Sequence, residues 1–380
     1  MAKNEQETVL AVGLMSGTSC DGVDAALIET DGKGFVRPLA FVFRPYGAEE
    51  QALIKRGFED GRSMTDRNAR PGSLAQAEAM ITGAHIEAVN ALLALEEVGG
   101  RKPDLIGFHG QTVWHDPGKG VTVQIGDGQA LANACGCPVV YDFRAADVAA
   151  GGQGAPLVPI YHKALTASSA IPLNYPLAVV NIGGVANITW IDADGGLTAF
   201  DSGPGNALVN DWIHQKTGEA MDKDGVFAAS GQVDFLALLG LMGNGYFRQA
   251  APKSLDRNAF DLAPVQQLSL EDGAATLTAF TVETICLGLE HMENASGAAA
   301  QMVVVCGGGC NNPFMMAQLQ DALEMPVMMS SMLGWNSDAL EAEAFAYLAV
   351  RAQKDLPITF PNTTGVGKDM SGGLLVRPKP

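Results

Sequence analysis

The sequence predicts an α/β protein made of two related domains, and three observations carry that expectation. The chain has 380 residues, 47% of them apolar, which is enough for a sizeable core and more than one typical domain needs. A run of three short strands opens the chain, and a second run of the same kind starts near residue 177. Ala-rich stretches with helical spacing and strand-to-helix turns rich in glycine lie between and after these runs.

Taken in order, residues 8–14 and 23–29 read as strands joined by the turn MSGTSCDG, and residues 35–43 follow as a third strand after the turn Asp31-Gly32-Lys33-Gly34. Residues 74–97 carry apolar side chains at helical spacing until Gly99-Gly100 ends the pattern. Short strands are expected at 105–108, 121–125 and 138–141. The composition then shifts in AAGGQGAPLVP, which places the domain boundary near residue 150 and gives domains of 1–150 and 151–380. Beyond it the opening plan restarts, with strands at 177–182 and 186–191 around Gly183-Gly184, a turn at 192–196 and a strand at 197–200. Residue identity between the halves is low, so the repetition is one of topology. Finally, MVVVCGGGCNNPFMMAQLQDAL reads as a strand, a glycine turn and a helix opened by Asn311, Asn312 and Pro313.

Charge narrows the partners. Lys and Arg number 24 against 42 Asp and Glu, a formal net charge of -18, so the summed field repels polyanions. Nucleic acid and anionic membrane surfaces are therefore poor partners. Any phosphate must be held by local groups: backbone amides, helix N-termini or a divalent cation. The first residues, MAKNEQETVLAVGLM, show no basic stretch followed by a long apolar one, and no window approaches a membrane span, so a soluble cytoplasmic chain is expected. The six cysteines suit reduced thiols, and neither Cys135-Gly-Cys137 nor Cys306-x3-Cys310 has the usual zinc spacing.

Three small-residue turns, at 15–22, 181–187 and 306–313, remain as candidate sites. None is a Walker loop, because each Gly-Lys pair is followed by Gly34, Gly120 or Asp369 where Ser or Thr is required. No GxGxxG follows a predicted strand, and the kinase motifs HRD and DFG are missing. In MSGTSCDG, successive amides with the hydroxyls of Ser16, Thr18 and Ser19 can surround phosphate oxygens, while Asp21 and Asp24 can orient a cation or its waters. The plain alternative is a hairpin turn. For Gly307-Gly308-Gly309 the alternative is close packing of strand on helix. A nucleotide held by β-turns of two related domains is the arrangement shared by sugar kinases, heat-shock chaperone ATPases and actin.

The segments GLMSGTSCDGVDAAL, FHGQTVWHDP, QIGDG, DFRAADVAAGGQGAPLVP, NIGGVANIT, FDSGPGNALVNDW, KSLDRNAF, CGGGCNNP and FPNTTGVGKDMSGG occur in consistent order from about residue 10 to residue 373. Together they resemble the anhydro-N-acetylmuramic acid kinase family, cytoplasmic enzymes of bacterial peptidoglycan recycling. The resemblance implies the two-domain, ribonuclease H-like sugar-kinase fold around an ATP cleft, and ATP with Mg2+ as cofactors. It implies that Gly17, Thr18, Ser19, Cys20, Asp21, Gly22, Val23 and Asp24 form the phosphate segment, supported by Gly183, Gly184 and Asn187, and that Gly307, Gly308, Gly309 and Asn312 face the nucleotide's sugar and base. It assigns Asp201, in FDSGPGN, as catalytic base, for which a turn or cap aspartate is the plain alternative. His109, Gln111, Arg144, Asp147 and Glu341 match substrate positions, and the Arg144 guanidinium suits the lactyl carboxylate of muramic acid. Cys310 and Asn311 depart from the larger polar or basic residues of the family, and Cys20 reads as packing rather than chemistry.

The expected activity is conversion of 1,6-anhydro-N-acetylmuramic acid to N-acetylmuramic acid 6-phosphate by a homodimer acting on a small amino sugar. Rival readings are a chaperone-like ATPase module, a simple hydroxyl-directed sugar kinase, and a glycosidase using Asp201 and Glu341 as its carboxylate pair.

Overall fold

The structure is a computed structural model that describes residues 8–379 apart from 63, 65 and 258. The chain divides into two compact units, one ending at Ser168 and resuming at Asp338, the other spanning Ser169–Ser337. Each is built on one sheet.

In the first unit β1 (Val9–Ser16), β2 (Gly22–Thr30) and β3 (Val36–Pro45) form the expected antiparallel meander. Its second turn is locked by Asp31, whose Oδ1 accepts the N–H groups of Lys33, Gly34 and Phe35 at 2.7, 3.1 and 3.0 Å. β4 (Leu105–Asp116) runs parallel to β1, β5 (Val121–Ile125) folds back on the far end of β4, and β6 (Val139–Tyr141) lies parallel to β4 on its other side. The strand Leu374–Val376 closes the edge beside β6.

Alternation along β1 decides what covers each face of this sheet. Val12 and Leu14 point into a core with Ile81, Ala88 and Leu92 of the helix Leu74–Leu93. On the opposite face Gly13 and, on β4, Gly107 admit the backbone of the helix Leu340–Gln353: a β-carbon at either would collide with the carbonyl of Ala342 or of Phe345. This close approach draws residues 338–379 into the first unit.

In the second unit β7 (Leu177–Ile182), β8 (Val185–Ile191) and β9 (Leu197–Pro204) form another antiparallel meander. β10 (Met302–Cys306) and β11 (Val327–Met329) extend it in parallel. The order β11-β10-β7-β8-β9 repeats the order β6-β4-β1-β2-β3 of the first sheet, so the duplication read from the sequence holds at the level of topology. The long helix Leu270–Ser296, capped by Ser269 and ended by Gly297 at φ 73°, lays Val282, Ile285 and Leu289 on Ile188, Trp190 and Phe200. A satellite core of Trp212, Phe247, Leu277 and Phe280 lies on the same helix.

Several expectations need correction. The single boundary near residue 150 is replaced by crossings at 168/169 and 337/338. The helix Pro159–Ala167 stays with the first unit, where Tyr161 donates to Glu343 at 2.7 Å and Ser168 Oγ accepts the N–H of Val36 at 2.8 Å. The helix expected over 74–97 ends at Leu93, and Glu96–Val98 forms a separate 3-10 turn stopped by Gly99 at φ 62°. β4 and β9 run well past the expected 108 and 200, because ladder pairing with β5 from Gln111 onward and with β8 through Asp201 carries strand structure further. No disulfide joins the six cysteines, which stay as thiols.

Candidate active site

The first unit's turn between β1 and β2 is braced from below. Gln111, fully buried, accepts the Ser16 hydroxyl at 2.5 Å and donates Nε2–H to the Gly17 carbonyl at 3.0 Å. Tyr46 Oη lies 3.0 Å from Ser16 Oγ. Asp21 Oδ1 accepts the Ser19 hydroxyl at 2.7 Å and the Gly22 N–H at 3.0 Å. Cys20 is buried at φ 57° with its thiol toward the Thr18 carbonyl, so it packs as expected. Thr18 and Ser19 are exposed, and among the described residues their N–H groups have no protein partner. That pair of open amides suits an anion.

The glycines here divide by what a side chain would meet. A β-carbon at Gly17 would come no closer than 3.5 Å to any neighbour, so packing does not demand glycine and the residue keeps the space before the turn open. Gly22, by contrast, would collide with the Arg44 carbonyl and the Phe43 ring. Val23 is a core side chain, which leaves only its backbone for a ligand.

Asp24 is half-buried, and burial, then Asp21, Glu341 and Asp338, pushes its carboxyl up to about 7. A cation would relieve that repulsion. Among the described residues no three acidic, histidine or cysteine side chains converge closely enough to hold a metal directly. The arrangement suits Mg2+ held through its waters and through nucleotide phosphates.

Four of the five expected substrate residues form one network in this unit with Gln111 beside it. Arg144 Nε–H donates to His109 Nε2 at 3.1 Å, and Arg144 Nη1–H donates to the Gly154 carbonyl at 2.7 Å. His109 is buried, with Nδ1 at 2.8 Å from the Gly110 carbonyl, and burial together with Arg144 holds its pKa well below the ordinary value. It is therefore neutral, with the proton on Nδ1. Asp147 is buried with both oxygens engaged, by the Gly154 N–H and the Thr364 hydroxyl, each at 2.6 Å. Glu341 sits in the first turn of its helix, its carboxyl pKa raised by the surrounding protein and lowered by Arg144. Among the described residues Arg144 and Glu341 have groups left for a ligand, while His109, Gln111 and Asp147 are buried and build the frame.

In the second unit the turn Gly183-Gly184 is tied to the start of the helix Ala207–Thr217. Asn206 N–H donates to the Gly183 carbonyl at 2.7 Å, and Gly205 N–H to the Gly184 carbonyl at 2.9 Å. This is what the PGN of FDSGPGN does. Side chains at Gly183 and Gly184 would meet nothing closer than 3.6 Å, so both leave open space. Ladder pairing then sets Asn181, Asn187 and Asp201 side by side across β7, β8 and β9, with a bulge between Ala186 and Asn187. Asn181 was not foreseen, because only this register reveals it.

Asp201 lies inside β9, held on three sides. Its N–H donates to the Lys253 carbonyl at 2.9 Å, its carbonyl accepts the Tyr246 hydroxyl at 2.6 Å, and its Oδ2 accepts the Leu255 N–H at 2.7 Å. Among the described residues Oδ1 has no partner. Burial pushes the carboxyl up to about 6, against the opposing Leu255 N–H. At neutral pH it is an ionised acceptor with one oxygen available, as a general base requires. Tyr246 and the KSL segment were missed as its clamp; Asn258, in the same motif, lies outside the described residues.

The third glycine turn is mixed. Gly307 has φ 77° and, like Gly309, no room for a side chain, so the packing alternative accounts for both. Gly308 is exposed with its nearest neighbour at 3.7 Å. Asn312 caps the helix Pro313–Ala322 through Oδ1, which accepts the Met315 N–H at 3.0 Å, leaving Nδ2 for a ligand. Cys310 is buried and Asn311 exposed.

The profile described as "Anhydro-N-acetylmuramic acid kinase" matches residues 9–377. A protein of that name from Rhizorhabdus wittichii is 50% identical over 97% of this chain and 99% of its own length. Another from Methylobacterium nodulans is 48% identical over 97% of this chain and 100% of its own. Among solved structures, component A of the (R)-2-hydroxyglutaryl-CoA dehydratase of Acidaminococcus fermentans aligns over 90% of this chain and 99% of its own, at 12% identity and a TM-score of 0.45. With a family profile spanning nearly all of it and relatives at about half identity over their full lengths, this chain belongs to the anhydro-N-acetylmuramic acid kinase family.

Proposed function

We propose that this chain is an ATP-dependent kinase that opens 1,6-anhydro-N-acetylmuramic acid with water and phosphorylates its O6, giving N-acetylmuramic acid 6-phosphate in cell-wall recycling. The observation that carries the chemistry is Asp201, oriented by backbone on Oδ2 and, among the described residues, without a partner at Oδ1. In a 1,6-anhydro sugar O6 is bonded to C1 and carries no proton, so a base has nothing to remove there. Asp201 instead takes a proton from the water that attacks C1. The C1–O6 bond breaks, and O6 takes up the γ-phosphoryl group as ADP leaves.

The remaining residues bind and orient. The open amides of Thr18 and Ser19, with the space kept by Gly17, receive the ATP phosphates, and Gly183, Gly184 and Asn187 support them. Gly308 and Asn312 serve the nucleoside. Arg144 takes the lactyl carboxylate, and Glu341 accepts hydrogen bonds from the sugar. Asp21 and Asp24 would hold Mg2+ through its waters, and the ion would neutralise charge on the phosphates.

We place the reaction in the cytoplasm, where ATP is supplied; no single helix among the described residues is long and apolar enough to cross a membrane. The working form is read as a homodimer, which light scattering on the eluting peak checks. The chemistry is tested by turnover in water enriched in heavy oxygen. Label is expected on the anomeric hydroxyl, read before open-chain exchange, and none in the phosphate. Label in the phosphate, or sugar turnover without ADP release, would end this reading and favour a hydrolase.

A further inference from the structure

Arg144 is a cation whose direct partners are a neutral ring and a carbonyl. Its Nε–H is taken by His109 Nε2 at 3.1 Å and one Nη1–H by the Gly154 carbonyl at 2.7 Å. Among the described residues no carboxylate forms a salt bridge with it, and the acids that act on its charge, Glu341 and Asp147, do so without hydrogen bonding to it. Asp147 is unavailable, since its two oxygens hold Gly154 N–H and the Thr364 hydroxyl. A crowded guanidinium left without an ion partner is costly to keep unless a ligand supplies the charge.

The brace on that guanidinium is asymmetric. With Nε and one Nη1–H engaged, the Nη2 pair and the second Nη1–H are left, an edge with the spacing of a carboxylate's two oxygens. His109 sets which edge that is. Its ring is held by Nδ1–H on the Gly110 carbonyl at 2.8 Å and packs on Phe345 with centroids 4.6 Å apart. Both ring nitrogens are occupied and the side chain is 4% exposed, so it has nothing to offer a substrate directly.

We infer that His109 is a positioning residue for substrate choice: by accepting the Arg144 Nε–H it fixes the rotation of the guanidinium, so that the free edge selects anhydro sugars bearing a carboxylate over those without one. This rests on the reading of Arg144 as the carboxylate contact.

The test compares kcat/KM for 1,6-anhydro-N-acetylmuramic acid with kcat/KM for 1,6-anhydro-N-acetylglucosamine, which lacks the lactyl group, or its KI where turnover is too slow. His109→Phe keeps a ring against Phe345 and deletes the acceptor; His109→Leu is a second acceptor-free variant should the first fail to fold. Either is expected to lower the muramic value roughly 10-fold or more, mainly through KM, and to leave the glucosamine value unchanged within about 2-fold. His109→Gln, whose carbonyl can accept from Nε, is expected to regain part of the preference. In an Arg144→Met background, His109→Phe is expected to add nothing. Equal losses on both sugars, or additive losses with Arg144→Met, would overturn the inference by showing a merely structural histidine. A preference unchanged by Arg144→Met would overturn it together with the carboxylate reading of Arg144, while ADP release on the muramic sugar would leave the kinase reading standing.

Discussion

The two units share a strand order and use their polar side chains in opposite ways. In the first, His109, Gln111 and Asp147 commit their polar atoms to the protein and hold a turn, a loop and one arginine in place. In the second, Asn187 makes no side-chain hydrogen bond among the described residues and Asp201 keeps one oxygen free. Repetition of the fold therefore does not repeat the chemistry. One sheet carries a stiff polar frame, and the other carries polar groups left open and steadied mostly by backbone.

The sharpest way to break that contrast is Asp201→Asn. If the second unit holds the reacting group, kcat falls roughly 10²-fold or more, the scale of a lost general base, with the KM values for ATP and sugar little changed. Steady-state kinetics with both substrates varied checks this, and near-normal kcat would remove Asp201 from the role.

A smaller, graded effect comes from pH. Burial raises the Asp201 carboxyl to about 6 in the folded chain. The base works only when deprotonated, so kcat/KM is expected to fall about tenfold per pH unit below that value and to level off above it. A profile flat down to pH 5 would assign the proton elsewhere.

The smallest effect separates the two kinds of glycine. Gly17→Val is expected to raise the ATP KM several-fold while leaving the melting temperature in place, since nothing lies within 3.5 Å of the new β-carbon. Gly307→Val is expected to lose at least about 1–2 kcal/mol of stability, because a β-branched residue is strained at its positive φ. Thermal melts beside ATP titrations measure both. A stability loss at Gly17 as large as at Gly307 would reduce the first turn to packing.

Both meanders were legible in the sequence because short apolar strands punctuated by Asp, Gly and small residues leave a strong local signal. The Asn312 cap was legible for the same reason, since Asn followed by Pro is read within one turn of chain. The extent of β4 was not, because HGQT interrupts the apolar run with polar residues and Gly110 has a positive φ, and pairing with β5 and, at Gln111, with β1 keeps it extended. Nor could the chain's return to the first unit be read locally. AFAYLAV in the helix Leu340–Gln353 signals burial on every side, but the sheet that buries it is chosen by Gly13 and Gly107, hundreds of residues upstream. At the site, sequence named polar residues without showing which would be engaged internally, a question that only hydrogen-bond partners answer. His109 and Asp147 show the gap: both match substrate positions, and both face inward.

The glycine groove over β1 and β4 also orders events during synthesis. Strands β1 to β6 leave the ribosome before the second unit, yet the helix that fills their groove is encoded after the whole of it. Until that late segment arrives, the face of the nascent sheet that carries Gly13 and Gly107 lacks the helix backbone that packs there. Completion of the first unit thus waits on synthesis of residues 340–353, and the interval is one in which a chaperone has an apolar surface to hold.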